Sequence, residues 1–224
     1  MTSGNVDPNQ FIITRKRKRY KFAKFYNSPL CYEKDEWQQL AEKPPVAVVE
    51  LGAGTALFLV EMAARRPEMQ FAAVDVKGDR LQTGAYEAMA RGLTNIVFIR
   101  ARADQLHELF AAGSLQQLWL TFADPFPKRR SAGRRMTHPH FLRQYAALLA
   151  ETGDGLLIKH DNLPFFAWSL EQLVAEKWRL QELSFDLHDS ELPDEYKILT
   201  TYEQRWLHEG LHTKFVRALP PQEI

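Results

Sequence analysis

Residues 46–55, VAVVELGAGT, decide the fold of this chain. A short apolar run predicts a buried strand over residues 46–51, and apolar residues at helical spacing predict a helix over residues 55–66. Gly52 and Gly54 lie between them, where glycine lets the backbone turn tightly and lets a ligand approach it closely. A strand, a glycine turn and a helix in this order are typical of α/β proteins that bind a ligand at the strand ends.

The alternation of strands and helices continues along the chain. Further strands are predicted over residues 71–76, 96–100, 115–122, 156–159, 180–187 and 200–207. Helices are predicted over residues 79–91 and 137–151, and Asp161 or Asn162 can cap another helix with Pro164 in its first turn. The pattern predicts an α/β fold of the Rossmann-like, doubly wound type, with a mostly parallel sheet and helices on both faces.

Length and composition indicate one domain with an N-terminal extension. The chain has 224 residues, of which 45% are hydrophobic, and no apolar run is long enough for a membrane span. We assign residues 1–43 to a basic and aromatic extension and residues 44–224 to the domain proper, with Lys43-Pro44-Pro45 as the break. Because Cys31 is the single cysteine, an internal disulfide is excluded and a reducing compartment is expected.

The net charge of +1 conceals two basic segments. Residues 1–40 carry +4 and residues 128–143 carry +6, so the remaining residues carry −9. Positive charge gathered in this way predicts an anionic partner at both segments, and two solvated loops are the alternative. We expect the N-terminal segment to be a flexible arm that contributes less to binding, because it loses entropy when it is ordered.

Two acidic residues flank the glycine turn and indicate the kind of cofactor. Glu50 lies on the first strand just before the glycines, and Asp75 closes the second strand, where it can accept hydrogen bonds from ribose hydroxyls. A dinucleotide would prefer Gly or Ala at Leu57, together with a helix N-terminus for its pyrophosphate. S-adenosyl-L-methionine has no phosphate but carries an ammonium and a sulfonium, which suit Glu50 better. A packed turn with an incidental acid is the remaining alternative.

The end of the fourth predicted strand carries a stiff acidic loop, LTFADPFPKRR, over residues 120–130. Two prolines flanking an aromatic residue restrict the backbone, so Asp124 is fixed at the strand's carboxyl edge. Basic residues follow at once: Lys128, Arg129, Arg130, Arg134 and Arg135. A rigid carboxylate beside a basic cluster suggests a base pocket with a phosphate-binding rim, whereas an ordinary proline turn is the alternative.

Four sequence blocks resemble those of the bacterial tRNA (guanine-N7)-methyltransferases. Residues 122–142, FADPFPKRRSAGRRMTHPHFL, resemble the family signature. Lys159-His160-Asp161-Asn162 resembles K-T-D-N, residues 186–190 resemble D-L-H-x-S, and Thr200-Thr201-Tyr202-Glu203 resembles T-E/N-Y/F-E. The blocks come in family order and cover about residues 46–219.

The resemblance implies a seven-stranded methyltransferase fold and a cytoplasmic enzyme that methylates guanine N7 in the variable loop of tRNA. It implies that Asp124 is catalytic and also touches the cofactor. The other cofactor-binding residues would be Glu50, Gly52, Gly54, Asp75 and Arg102. The substrate-binding residues would be Lys128, Arg129, Arg130, Asp161, Thr200, Thr201, Tyr202 and Glu203. No DNA or membrane partner is expected, the histidines show no metal-ligand spacing, and the oligomeric state stays open.

Several positions depart from the family pattern. The substituted residues are Ala56, Ala123, Phe126, His160 and Thr201. The largest departure is Arg102, which stands where the family has an aspartate near the adenine. Either the loop slips so that Asp104 reaches the adenine, or the Arg102 guanidinium stacks on it. Stacking is favoured because Asp104 lies about 6–7 Å further along an extended chain.

Two other functions stay open at this point. A methyltransferase acting on another RNA or on a small molecule would share Glu50, the glycines and Asp75. It would not explain the basic loop or the block at residues 200–203. A non-catalytic RNA-binding relative of the same fold is the third possibility.

Overall fold

The computed structural model describes residues 6–200, 203 and 210–222. The strands of this part of the chain are β1 (Cys31–Glu33), β2 (Val48–Leu51), β3 (Phe71–Asp75), β4 (Ile96–Arg100), β5 (Gln117–Thr121), β6 (Gly155–His160), β7 (Arg179–Ser184) and β8 (Lys214–Leu219). The helices are α1 (Lys16–Tyr26), α2 (Lys34–Gln38), α3 (Leu57–Arg65), α4 (Gly78–Ala90), α5 (Leu106–Leu109), α6 (Pro139–Leu148) and α7 (Leu163–Ala175).

The strands form one mixed sheet in the order β1-β4-β3-β2-β5-β6-β8-β7. The first six strands of this order run parallel, and β8 runs antiparallel to both β6 and β7. The predicted doubly wound α/β fold is therefore confirmed. The order of strands along the chain reverses between β2 and β5, and a cleft is expected at such a point.

Helices cover both faces of this sheet because successive residues of a strand point to opposite sides. Val49 and Leu51 of β2 belong to the layer formed with α2, α5, α6 and α7, whereas Val48 belongs to the layer formed with α1, α3 and α4. Within the described residues, no helix combines the length and apolar composition needed to cross a bilayer.

The N-terminal basic segment differs from the expected flexible arm, because residues 16–26 form a helix. Phe22, Phe25 and Tyr26 follow helical spacing, and Phe25 is buried in the layer that contains α4. The strand β1 then pairs parallel to β4 and gives the sheet an eighth strand where seven were expected. The domain boundary at residue 43 stays a prediction, although residues on both sides of it contribute to one sheet.

The last strand also differs from the prediction. Of the predicted strand at residues 200–207, the structure describes only Thr200 and Glu203, and Glu203 is helical. The Thr200 hydroxyl accepts from the Glu203 N–H at 3.1 Å, while the Glu203 carboxylate accepts from the Thr200 N–H at 2.7 Å. These reciprocal bonds between the two described residues form a capping box. The strand that completes the sheet is β8, which the sequence analysis missed.

A close contact between α4 and the glycine turn yields a prediction about stability. A Cβ at Gly84 would lie 2.6 Å from the Thr55 carbonyl oxygen and 2.8 Å from Cε1 of Phe98. Gly84→Ala should lower the free energy of unfolding by up to about 2 kcal/mol, because overpacking costs about 1–3 kcal/mol and the higher helix propensity of alanine offsets only about 1 kcal/mol of it. Equilibrium urea unfolding measures the change.

Gly133→Ala is the matched control, because a Cβ there would meet no atom within 4 Å. Its unfolding free energy should stay within about 0.5 kcal/mol of the unaltered protein. An unchanged or higher stability of Gly84→Ala would show that α4 shifts easily away from the turn.

Candidate functional site

A cleft of about 280 Å³ opens at the carboxyl ends of the strands, where the strand order reverses. It brings together several residues that the sequence analysis selected from distant positions. Those that line it are Glu50, Gly52, Gly54, Asp75, Asp124 and Thr200. The structure therefore brings these six residues together at one cleft, and their roles stay predictions.

The glycine turn between β2 and α3 forms the floor of this cleft. Gly52 and Gly54 have φ values of +72° and +57°, which glycine adopts without steric cost. Ala56 has a φ of +55° and so keeps the left-handed backbone that a glycine would favour. Alanine accepts this conformation at a cost of roughly 1–2 kcal/mol. The backbone at residue 56 is therefore left-handed although the residue is not glycine.

Glu50 is a buried acid in the cleft wall with one oxygen atom unused. Its side chain is almost wholly buried, and its Oε1 accepts from the Thr121 hydroxyl at 2.5 Å. Its Oε2 has no hydrogen-bond partner among the described residues. Burial raises the pKa of Glu50 to about 8. A carboxyl group in this state is suited to a ligand that brings a positive charge and a hydrogen-bond donor.

Asp75 lies at the end of β3 and accepts hydrogen bonds from two backbone N–H groups. Gly54 donates to its Oδ2 and Lys77 donates to its Oδ1, both at 2.8 Å. A carboxylate oxygen can accept more than one hydrogen bond, so two hydroxyl groups of a ligand can still reach it. The contact with Gly54 also fixes this carboxylate to the glycine turn.

Asp124 presents an exposed carboxylate to the cleft. The structure shows no hydrogen bond or ion pair between this side chain and another described residue. Two neighbours, Phe122 and Phe126, have φ values of +51° and +40°, which are rare for large side chains. Backbone strain of this kind is concentrated at functional loops. The loop therefore holds an available acid in an unusual, defined conformation.

The basic residues that follow this loop form a rim on the surface. Lys128, Arg129 and Arg130 are exposed, and their side chains make no ion pair with the described residues. Arg134 is also exposed, but its guanidinium lies 4.5 Å from the centre of the Phe126 ring. The first three residues are thus available to an anionic ligand.

Arg102 does not line the cleft, although its neighbours Ala101 and Ala103 do. Its guanidinium forms a two-pronged ion pair with Asp104, at 2.9 Å from Nε and 2.6 Å from Nη2. Asp104 does not line the cleft either. Stacking of Arg102 on an adenine stays a prediction, and it would require this ion pair to rearrange.

Glu203 lies in a buried network and has no free hydrogen-bonding position toward the cleft. Its carboxylate accepts from Lys159 Nζ at 3.0 Å, His188 Nε2 at 3.1 Å and the Thr213 hydroxyl at 3.2 Å, as well as from the Thr200 N–H. Although burial would raise the pKa of Glu203, the bond from His188 and the charge of Lys159 hold it below its usual value. The network thus anchors Thr200 at the cleft.

Lys159 and His188 lie within two of the motif blocks, but the sequence alone indicated no place for them in this network. The T-x-x-E pattern at residues 200–203 is the signal that could have identified the capping box. Thr201 and Tyr202 lie outside the described residues.

Asp161 follows β6 and does not line the cleft. Its side chain is half-buried, and its Oδ1 lies 3.2 Å from Nδ1 of His160. This contact holds the pKa of Asp161 below its usual value.

The raised pKa of Glu50 yields a prediction about pH and stability. Because this pKa is about 8 in the folded protein against 4.5 normally, folding binds a proton between these values. Protonation of Glu50 therefore contributes its full stabilisation of the folded protein below pH 4.5, and this contribution is lost as the pH rises through 8. Over this range the free energy of unfolding falls by up to about 1.4 kcal/mol per pH unit. The Glu50→Gln variant should become more stable than the unaltered protein as the pH increases, in denaturant unfolding at pH 5, 6.5 and 8.

Glu87→Gln, which removes an exposed carboxylate from α4, provides the control and should follow the unaltered protein at each pH. A constant difference between Glu50→Gln and the unaltered protein over this range would contradict the assignment of the buried carboxyl group.

Comparison with known proteins finds relatives along most of the chain. Residues 44–216 match the family model described as "Putative methyltransferase". The chain is 33% identical to the tRNA (guanine-N(7)-)-methyltransferase of Brevibacillus brevis, over 88% of this chain and 91% of that protein. It is also 33% identical to the protein of the same name from Bacteroides thetaiotaomicron, over 93% of this chain and 87% of that protein.

Solved structures of methyltransferases share the fold. The 16S rRNA methyltransferase KamB has a TM-score of 0.62 and 17% identity, over 84% of this chain and 94% of that chain. A 16S rRNA (adenine(1408)-N(1))-methyltransferase variant from Catenulisporales acidiphilia with the cosubstrate SAM has a TM-score of 0.55 and 16% identity, over 85% and 92%. At these identities the likeness concerns the fold alone.

Proposed function

Since this chain belongs to the family of the tRNA (guanine-N(7)-)-methyltransferases, we propose that it transfers a methyl group from S-adenosyl-L-methionine to N7 of a guanine in the variable loop of tRNA. One observation carries this proposal for the site itself. The available carboxylate of Asp124 and the unpartnered oxygen of Glu50 line the same cleft, beside an exposed basic rim. The proposed substrate implies a cytoplasmic enzyme.

The residues of the cleft fit the methyl donor. S-adenosyl-L-methionine, when bound, supplies an electrophilic methyl group on a sulfonium. Glu50 would accept a hydrogen bond from the donor's ammonium group, which gives its buried Oε2 the partner it lacks. Asp75 would accept hydrogen bonds from the ribose hydroxyls, and Gly52 and Gly54 would allow close approach to the backbone.

Methylation of guanine N7 requires alignment more than proton transfer. The N7 atom carries a lone pair and no proton, so the attack on the methyl group needs no general base. Asp124 would accept hydrogen bonds from the N–H groups of the guanine, which orients N7 toward the methyl group. Its negative charge would also stabilise the positive charge that develops on the base.

The basic rim and the motif segments would bind the rest of the substrate. Lys128, Arg129 and Arg130 would contact phosphates, which position an RNA without reading its sequence. The other residues that we propose to bind the substrate are Asp161, Thr200, Thr201 and Tyr202. We propose that Glu203 contributes by holding Lys159 and the Thr200 backbone in place, since its carboxylate is occupied by protein donors.

Asp124→Ala should lower methyl transfer to tRNA by about 100-fold or more, because the variant loses the carboxylate that orients and stabilises the reacting base. Folding and tRNA binding should be retained, since this side chain is exposed and unpaired. The measurement is mass spectrometry of tRNA nucleosides after incubation with an isotopically labelled methyl donor.

Asp104→Ala is the matched control, because Asp104 is also exposed but pairs with Arg102 outside the cleft. Near-normal 7-methylguanosine formation by Asp124→Ala would overturn the assignment of this residue. A labelled methyl group on a different nucleoside would instead favour another RNA methyltransferase activity.

Neutralising Lys128, Arg129 and Arg130 to glutamine should weaken tRNA binding and flatten its dependence on salt. With each phosphate contact that is lost, fewer counterions are released from the RNA on binding. The plot of log K against log salt should therefore become less steep by about 0.7–0.9 per contact. Filter binding at several salt concentrations measures it. The control is Arg179→Gln, on the exposed edge strand β7, which should leave the slope unchanged. If the triple variant also kept the slope of the unaltered protein, the basic rim would be a solvated surface that does not bind RNA.

A further inference from the structure

The backbone on the N-terminal side of Asp124 is held by a buried histidine. His160 ends β6 and is only 3% exposed, and its Nε2 lies 2.8 Å from the Ala123 carbonyl oxygen. Since a carbonyl oxygen can only accept, Nε2 carries the proton and donates it. The peptide that leads into Asp124 is therefore tied to the neighbouring strand.

The orientation of the His160 ring is itself fixed. Its Nδ1 lies 2.9 Å from the Asn162 nitrogen and 3.2 Å from Oδ1 of Asp161, so this side of the ring is also held by neighbouring groups. The ring also packs against Phe165, with 4.4 Å between ring centres, and lies 6.1 Å from Phe122. His160 can therefore present its Nε2 proton in one direction only.

The backbone on the C-terminal side of Asp124 is held by an arginine. Arg135 Nε donates to the Pro125 carbonyl oxygen at 3.1 Å, and its Nη2 donates to the Phe126 carbonyl oxygen at 3.1 Å. Its guanidinium also lies 4.4 Å from the centre of the Trp168 ring. Arg135 was expected to belong to the phosphate-binding rim, but its Nε and Nη2 are directed at the loop.

The composition of the loop explains why side chains must hold it. Pro125 and Pro127 lack N–H groups, so the loop cannot be fixed by a ladder of backbone hydrogen bonds. Phe122 and Phe126 have left-handed φ values, which are unfavourable for large side chains and persist only where the surroundings hold them. The bonds to the carbonyl groups of residues 123, 125 and 126 provide that support on both sides of Asp124.

We propose that His160 and Arg135 are positioning residues, which hold the Asp124 carboxylate at the reacting base through the loop backbone. This inference rests on the proposed function, because it assumes that Asp124 acts on the substrate. Neither residue touches the substrate. Both should therefore affect the rate of methyl transfer at saturating tRNA, and neither should affect the affinity for tRNA.

The first test uses Arg135→Lys, which retains the positive charge but loses the planar fork that reaches two carbonyl groups. The kcat for methyl transfer should fall about 10- to 100-fold, because a misplaced carboxylate costs this much. The KM for tRNA and the salt dependence of binding should change less than twofold. Arg65→Lys, in a surface ion pair with Glu61, is the control and should match the unaltered enzyme. A raised KM with normal kcat would overturn the proposal and assign Arg135 to phosphate binding.

The second test compares two substitutions of His160. The amide of His160→Gln can donate to the Ala123 carbonyl oxygen, so its kcat should stay within about threefold of the unaltered enzyme. His160→Leu has no donor and should lose about 10-fold or more in kcat. Equal losses in both variants would overturn the role of the hydrogen bond.

A double-mutant cycle separates positioning from a general effect on folding. In an Asp124→Asn background, measured by single turnover with excess enzyme, Arg135→Lys and His160→Leu should each cost less than twofold. Full additivity would overturn the proposal, because the two residues would then act independently of Asp124.

Backbone amide hydrogen exchange provides a readout that does not require activity. The amides of Phe122, Ala123, Asp124 and Phe126 should exchange faster in Arg135→Lys and His160→Leu than in the unaltered protein. If the unaltered protein forms no 7-methylguanosine but these amides exchange faster in the two variants, the proposed function is wrong. The inference that His160 and Arg135 hold the loop is then still supported. Unchanged exchange in both variants would overturn the positioning role itself.

Discussion

The parallel pairing of β2 with both β3 and β5 is the constraint on which the rest of the site depends. It places Glu50 beside Ala73 on one side and Trp119 on the other. The carboxyl ends of the three strands therefore lie at the same level. Because the connections after β2 and β5 leave toward opposite faces of the sheet, a cleft opens between the ends of these two strands. Acids that are far apart in the sequence can thus face one cleft without any long-range contact among themselves.

A second constraint is the group of polar side chains buried behind the cleft. Lys159, His188 and Glu203 come from three separate sequence blocks and meet in one hydrogen-bonded network. Burying such charges is costly, and a hydrophobic core of the same size would often be as stable. Their arrangement fixes the position of Thr200 relative to β6. Some residues of these motif blocks therefore serve to hold the cleft in shape, and not only to contact a ligand.

The sequence predicted those features that depend on local pattern. Strand and helix alternation gave the fold, and the position of Glu50 and Asp75 at strand ends gave the location of the cleft. Features that depend on tertiary contacts were missed. The basic composition of residues 16–24 concealed a helix whose Phe25 is buried in the core, and the T-x-x-E pattern at residues 200–203 was not recognised as a capping box. The roles of His160 and Arg135 could not be inferred because the carbonyl groups they reach belong to other segments of the chain.

The protonation of Glu50 has a consequence for ligand binding. With a pKa of about 8, much of this carboxyl group carries a proton in neutral solution before any ligand arrives. On the proposed assignment, that proton and the ammonium group of the methyl donor compete for the same oxygen atoms. Each donor molecule that binds then releases up to one proton to the medium. The heat measured on binding would therefore include the ionisation heat of whichever buffer takes up that proton.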